Sequence, residues 1–128
     1  MVVDSSALVA MILREPDAPF FEAKINAATV RMVSAASVLE TAIVLQQRTG
    51  ERGARDLDRF LANSQLQVIP IDVLQLRWAR FAFETYGRGQ HPAKLNFGDC
   101  FSYALAKSSA EPILFKGTDF LLTDLVSA

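Results

Sequence analysis

Four short runs rich in Val and Ile alternate with longer stretches of helical pattern, and this alternation leaves the chain few folds to choose from. The runs are "MVVD" at residues 1–4, "VRMVS" at 30–34, "LQVIPI" at 66–71 and "PILF" at 112–115. β-branched residues bounded by polar or turn-forming ones favour strands. Helices are expected over residues 5–13, 18–28, 35–50, 51–64, 72–87 and 98–109. Asp4 or Ser5 and Asp72 are placed as caps, Pro16 as a break, and Gly50 and Gly87 as stops. Residues 88–97 form a loop, and the tail is short and mixed, with "DLVS" at 124–127 able to add an edge strand. Strands joined through helices pair in parallel, with helices on both faces of the sheet. The expected fold class is therefore α/β with a parallel sheet, and 128 residues without repeat or linker suit one domain over 1–128.

Parallel strands place their carboxyl ends at one edge, where sites form in such folds. Asp4 closes the first strand, Asp99 opens the last long helix, and Asp119 follows the fourth strand. Glu40 falls in the second turn of the helix after strand two, inside "ASVLETAIVL". Its neighbours Val38, Leu39, Ala42, Ile43, Val44 and Leu45 read as core. An unpaired carboxylate buried there costs roughly several kcal/mol. Each acid alone also has a plain structural reading. Asp4 serves as an N-cap, Asp99 as a first-turn acid favoured by the helix dipole, and Asp119 in "GTDF" as a turn former. A polar stripe of Glu40, Thr41 and Gln47 would expose Glu40 instead. Four carboxylates brought together raise one another's pKa unless a cation neutralises them. Hard divalent ions with oxygen ligands do so, Mg²⁺ or Mn²⁺ above all.

The rest of the inventory narrows the chemistry. One cysteine, Cys100, and one histidine, His91, exclude an internal disulfide and a Cys-based metal site, and leave little room for a Cys–His nucleophile. The net charge of −1 argues against binding nucleic acid by bulk charge alone. Arg48, Arg52, Arg55 and Arg59 read equally as a basic rim or as a solvated, salt-bridged helix face. Cys100 reads as a small core residue, and Trp78, Phe81 and Phe83 as core or dimer contacts. The longest wholly apolar run, "ALVAMIL" at 7–13, is far short of the roughly 20 residues that span a bilayer. No signal-peptide pattern opens the chain, so no membrane partner is expected and the cytoplasm is the expected location.

The segments "VVDSSALVAMILREPDA", "SAASVLETAIVL", "YGRGQHPAKLNFGDCFSYALAK" and "PILFKGTDFLLTDL" together resemble PIN-domain ribonucleases, in particular the VapC toxins of bacterial toxin–antitoxin pairs. The resemblance covers essentially the whole chain, and the third segment is its most specific part. It implies a PIN-like three-layer α/β/α sandwich with a central, mostly parallel sheet of four to five strands. It also implies an endoribonuclease using Mg²⁺ or Mn²⁺, with one ion or two. The acids carried over are Asp4, Glu40, Asp99 and Asp119, with Asp124 in "LLTDL" a second candidate for the fourth place. Ser6 matches the hydroxyl that supports the first acid, and Thr118 and Asn96 are placed to assist by hydrogen bonds. Arg88, His91 and Lys94 could form a phosphate-contacting rim, though His91 has an equal structural reading. Implied partners are RNA, a second copy of the chain, and a VapB-type antitoxin through which alone DNA is contacted. The antitoxin is expected in an apolar groove around Phe20, Phe21 and Leu45.

Other readings fit less well. A haloacid-dehalogenase-like phosphatase needs a second Asp where Ser6 stands. A receiver domain needs an early acidic pair, and "MVVDSS" has one acid. Neither a P-loop nor a G-x-S-x-G elbow occurs. A noncatalytic PIN-like RNA- or protein-binding module would keep the fold but lose acids; here all four positions are filled.

Overall fold

The computed structural model describes residues 1–128. Four parallel strands form one sheet: β1 (Val2–Val3), β2 (Met32–Ser34), β3 (Gln67–Ile69) and β4 (Ile113–Leu114) in the order β3-β2-β1-β4. The helices are α1 (Ser5–Ile12), α2 (Ala18–Ala27), α3 (Ala35–Thr49), α4 (Glu51–Ser64), α5 (Val73–Tyr86) and α6 (Phe97–Ser109). A 3₁₀ turn spans Asp119–Leu122. The strands are shorter than their apolar runs, because few residues in each exchange ladder hydrogen bonds. Pro70, without an N–H, closes β3. The tail adds a single parallel bridge, Ile113 with Ser127, in place of a fifth full strand.

Successive residues of a strand face opposite sides of a sheet, and here they divide the core. Val2 and Ile113 join α5 and α6 residues such as Ala82, Tyr103 and Leu105, with Met32 packed against them. Val3, Val33 and Leu114 join α1 and α2 residues such as Leu8, Met11 and Phe21, with Phe60 of α4 packed against them. The result is the expected three-layer α/β/α arrangement. α1 buries Ala7 through Met11 without a break, so it is apolar all round, as suits a helix enclosed by neighbours.

α3 corrects the sequence reading. Its buried stripe is Ser37, Thr41 and Leu45, one turn apart. At 100° per residue, Leu39 and Ile43 lie about 200° from Ser37 and Thr41. They face outward, 62% and 49% exposed, and do not enclose Glu40 in a core. The basic stretch is in large part the salt-bridged face. Arg52 and Arg59 flank Asp56 at 3.5 and 4.0 Å, and Arg48 approaches Glu15 at 3.5 Å. Phe81 and Phe83 are exposed, whereas Trp78 packs against the core. No helix is long and apolar enough to cross a membrane.

Caps fix where helices begin. Asp72 accepts a hydrogen bond from the Gln75 N–H at 2.8 Å. Asp72→Ala should cost about 1 kcal/mol, read as a lower urea midpoint at unchanged m-value.

Candidate metal centre

β1 ends at Val3, and the next residue turns into α1. Asp4 caps that helix, and its carboxylate is saturated on one side. Asp4 Oδ2 accepts from the Ser6 N–H at 2.9 Å and the Ser6 hydroxyl at 2.6 Å. Asp4 Oδ1 accepts from the Ser102 hydroxyl at 2.6 Å. An ionised carboxylate offers about four lone-pair positions. Three are taken, leaving one on Oδ1. Ser6 in turn accepts from the Lys116 N–H at 3.0 Å, which ties β4's exit to β1's. The Lys116 ammonium is engaged elsewhere, with Glu15 and Asp17 at 2.5 and 2.9 Å.

Asp99 is 8% exposed and belongs to a reciprocal cap at the start of α6. The Asn96 side chain accepts from the Asp99 N–H at 2.9 Å, and Asp99 Oδ2 accepts from the Asn96 N–H at 2.8 Å. Oδ1 has no partner within the chain. Burial pushes the Asp99 carboxyl up to about 7; the Asn96 bond opposes this, and the charges of Asp4, Asp119 and Glu40 add to it. Asp99 thus lies within reach of the charge of each of the other three acids.

Glu40 reaches α6 from the opposite helix. Its carboxylate lies where a Cβ on Gly98 would stand, so it packs on the backbone beside Asp99. Burial raises the Glu40 pKa, the Ser5 side chain works against that, and the Asp4 charge adds to it. Asp119 opens the exposed 3₁₀ turn. Thr118 precedes it, exposed, and makes no side-chain capping bond.

Asp124 goes elsewhere. It accepts from the Tyr103 hydroxyl at 2.7 Å and from Lys107 at 2.8 Å. Burial works to raise its pKa, but Lys107 and Tyr103 together hold it below the ordinary carboxylate value. It does not figure among the charges that act on Asp99. Arg88, His91 and Lys94 come together around a shallow pocket with Gly89, Gln90 and Pro92. His91 Nδ1 accepts from the Ala93 N–H at 3.1 Å, and the ring meets Tyr86 edge-on at 5.1 Å. Cys100 is a buried core residue, its thiol pushed up to about 11 by burial and then by Asp99.

Sequence reasoning missed Ser37, Gly98 and Ser102. The signals were present: Ser102 follows Asp99 by three residues, Ser37 precedes Glu40 by three, and a glycine in the first turn of a helix is unfavourable by about 1 kcal/mol against alanine.

The arrangement fits a hard divalent cation. Its donors are carboxylate oxygens, among them Asp4 Oδ1 and Asp99 Oδ1 with lone pairs left free, in a group whose mutual repulsion such an ion would relieve. No three His, Cys, Asp or Glu side chains close into a ready-made ligand set. An ion held here would need water or substrate oxygens to complete its shell, as Mg²⁺ commonly has.

The PIN domain model matches residues 1–125. Ribonuclease VapC30 of Mycobacterium tuberculosis is 51% identical over 127 residues, 99% of this chain and 97% of the relative. Ribonuclease VapC of Mycolicibacterium smegmatis is 50% identical over 127 residues, 99% and 98% of the two chains. Among solved structures, VapC20 of Mycobacterium tuberculosis, a Sarcin-Ricin loop cleaving toxin, superposes with a TM-score of 0.80 at 18% identity, covering 99% of this chain and 97% of that one. VapBC2 of Rickettsia felis, bound to a DNA fragment from its promoter, gives 0.73 at 16% identity, with 99% and 96% covered.

Proposed function

The chain belongs to the PIN domain family, and from that premise we infer that it is a VapC-type endoribonuclease, the toxin of a toxin–antitoxin pair. The observation that supports the chemistry is the set of acids at this edge: Asp4 and Asp99 are held by hydrogen bonds that leave Oδ1 lone pairs free, and the Glu40 carboxylate lies against Gly98 beside Asp99. A noncatalytic module would have no use for such a costly cluster.

Asp4, Glu40 and Asp99 would hold Mg²⁺ or Mn²⁺, and Asp119, at the exposed side, would bind a second ion or orient water at the scissile phosphate. When bound, such an ion polarises a phosphodiester and lowers the pKa of water. Ser6 and Ser102 keep the Asp4 carboxylate aimed, and Asn96 does the same for Asp99. His91, with Nδ1 occupied as an acceptor, keeps Nε2–H as a donor. With Arg88 and Lys94 it would grip RNA phosphates flanking the cut.

The partners are an antitoxin of VapB type and a second copy of the chain. The cytoplasm, where RNA and antitoxin meet, is the place of action, and DNA would be reached through the antitoxin. Phe21 and Leu45 are buried in the core, so the expected groove around them is not open, although Phe20 is exposed. The open concavity lies between α1–α2 and α4, where Met11, Pro19 and Phe60 meet Arg14, Arg52 and Arg59. That mixed lining suits an amphipathic antitoxin segment. Exposed Val68, Ile71, Val73, Leu74 and Leu76, from β3 into α5, offer an apolar face for the second copy.

The test is cleavage of total RNA by purified protein, with 5′ ends sequenced. Discrete new ends are expected with Mn²⁺ and none with EDTA, alongside a rise in melting temperature on adding Mn²⁺. An inert protein that ignores Mn²⁺ would establish the binding-module reading instead.

A further inference from the structure

Two buried serines lie behind the acidic centre, on the same helices that carry Glu40 and Asp99 to it. Ser37 is on α3 and Ser102 on α6, both essentially inaccessible to solvent. Their hydroxyl oxygens are 3.0 Å apart, and Ser102 donates to Asp4 Oδ1. A serine has one hydroxyl hydrogen. Ser102's is committed to Asp4, so Ser37 must be the donor in the serine pair. The bonds therefore run one way: Ser37 to Ser102 to Asp4. Donors aligned in this sense polarise one another and strengthen the last bond, the one to the carboxylate.

Packing alone gives no reason for this pair. Two helices meeting through small residues would pack as well through alanines, with no hydroxyl to satisfy. Thr41, one turn on from Ser37, satisfies its own hydroxyl locally on the Ser37 carbonyl at 2.7 Å and sends nothing toward the acids. Ser37 and Ser102, by contrast, direct theirs toward Asp4.

We propose that Ser102, polarised by Ser37, is a positioning residue for the metal centre: it sets the rotamer of Asp4 and leaves one lone pair on Oδ1 as the acceptor offered to the ion. Ser6 alone cannot do this, because both of its bonds go to Oδ2 and leave the carboxylate free to tilt about that side. Ser102 pins the other oxygen. The inference rests on the reading of Asp4 as a metal-holding acid.

The experiment is a Mn²⁺ titration of the full chain, followed by calorimetry and by thermal shift, with RNA cleavage measured over the same concentrations. Ser102→Ala is expected to weaken Mn²⁺ binding by about 10- to 100-fold, as loss of a partner behind a metal ligand does, and to move the half-maximal metal concentration for cleavage by the same factor. Ser102→Thr, which keeps the hydroxyl, should bring the metal midpoint back even if its melting temperature stays lowered by crowding. A purely structural serine would behave otherwise, lowering the melting temperature equally with and without Mn²⁺ at an unchanged metal midpoint. That result overturns the proposal. Should Ser102→Ala not fold, Ser102→Cys preserves the packing while offering only a weak S–H donor. Weakened Mn²⁺ binding in that variant supports the proposal, and wild-type binding overturns it. Wild-type protein that neither binds Mn²⁺ nor cuts RNA would instead remove the metal-centre reading, a failure distinct from an unaffected Ser102 variant beside an active wild type.

Discussion

Asp99→Asn is expected to lose RNA cleavage by about a thousandfold or more and yet to melt higher than the wild type without metal at pH 8. The activity loss follows from the several kcal/mol that an ion contributes to charge stabilisation in the transition state, at about 1.4 kcal/mol per factor of ten. The stability gain follows from the titration of the same group. Its carboxyl titrates near 7 in the fold against 3.8 for the ordinary group, chiefly because it is buried and then because Asp4, Asp119 and Glu40 surround it. Between those values the folded state retains a proton that the unfolded state has released. Stability of the metal-free wild type therefore falls as pH rises from about 4 to about 7, and the full cost, on the order of 4 kcal/mol, is present above that window. Asparagine removes the charge and keeps an oxygen to accept from the Asn96 N–H. Relative to wild type, the variant should gain on the order of 10 °C in melting temperature at pH 8 and little at pH 4. Mn²⁺ should close the gap by stabilising only the wild type. Scans at both pH values, with and without Mn²⁺, give the four numbers needed. A variant less stable than wild type at pH 8 without metal would show that Asp99 is not under charge strain.

The two outcomes of that experiment correspond to what the sequence did and did not reveal. That the strands pair in parallel, with their carboxyl ends at one edge, was legible, because strand–helix alternation dictates it. All six helices lie where the periodicity places them, within a residue or two. The rotation of α3 was not legible. Val38, Leu39, Ala42, Ile43, Val44 and Leu45 supply apolar side chains all round, so composition alone names no inner face. The face is chosen by α1, α4 and α6, which accept Ser37, Thr41 and Leu45 and leave Leu39 and Ile43 outside. The choice between Asp119 and Asp124 was equally hidden. It depends on Tyr103 and Lys107, which lie more than a dozen residues before Asp124 and bind it in the fold. Hydroxyl partners such as Ser102 for Asp4 are separated by 98 positions in the chain. No local pattern encodes such a pair.

Gly98→Ala is the second large effect expected, and its sign runs against helix propensity. Gly98 is in the first turn of α6, where alanine would ordinarily be better by up to about 1 kcal/mol. Here an added methyl would occupy the place of the Glu40 carboxylate. One of the two must move. The α6 backbone is held by the Asn96–Asp99 cap and by the packing of Tyr103 and Leu105, whereas Glu40 has a flexible stem and is only half-buried. Glu40 therefore swings outward, which also relieves the burial that raises its pKa. Stability without metal should change by less than about 1 kcal/mol, while cleavage falls by about 100-fold, the usual consequence of shifting a catalytic group by an ångström. Adding Glu40→Asp to Gly98→Ala shortens the stem by one methylene and makes room for the methyl. If displacement is the cause, that double variant should lose less than the product of the two single losses. Independent, multiplicative losses would mean that the methyl at 98 acts elsewhere, and wild-type cleavage by Gly98→Ala would mean that Glu40 has no part in holding the ion from the place it occupies against α6.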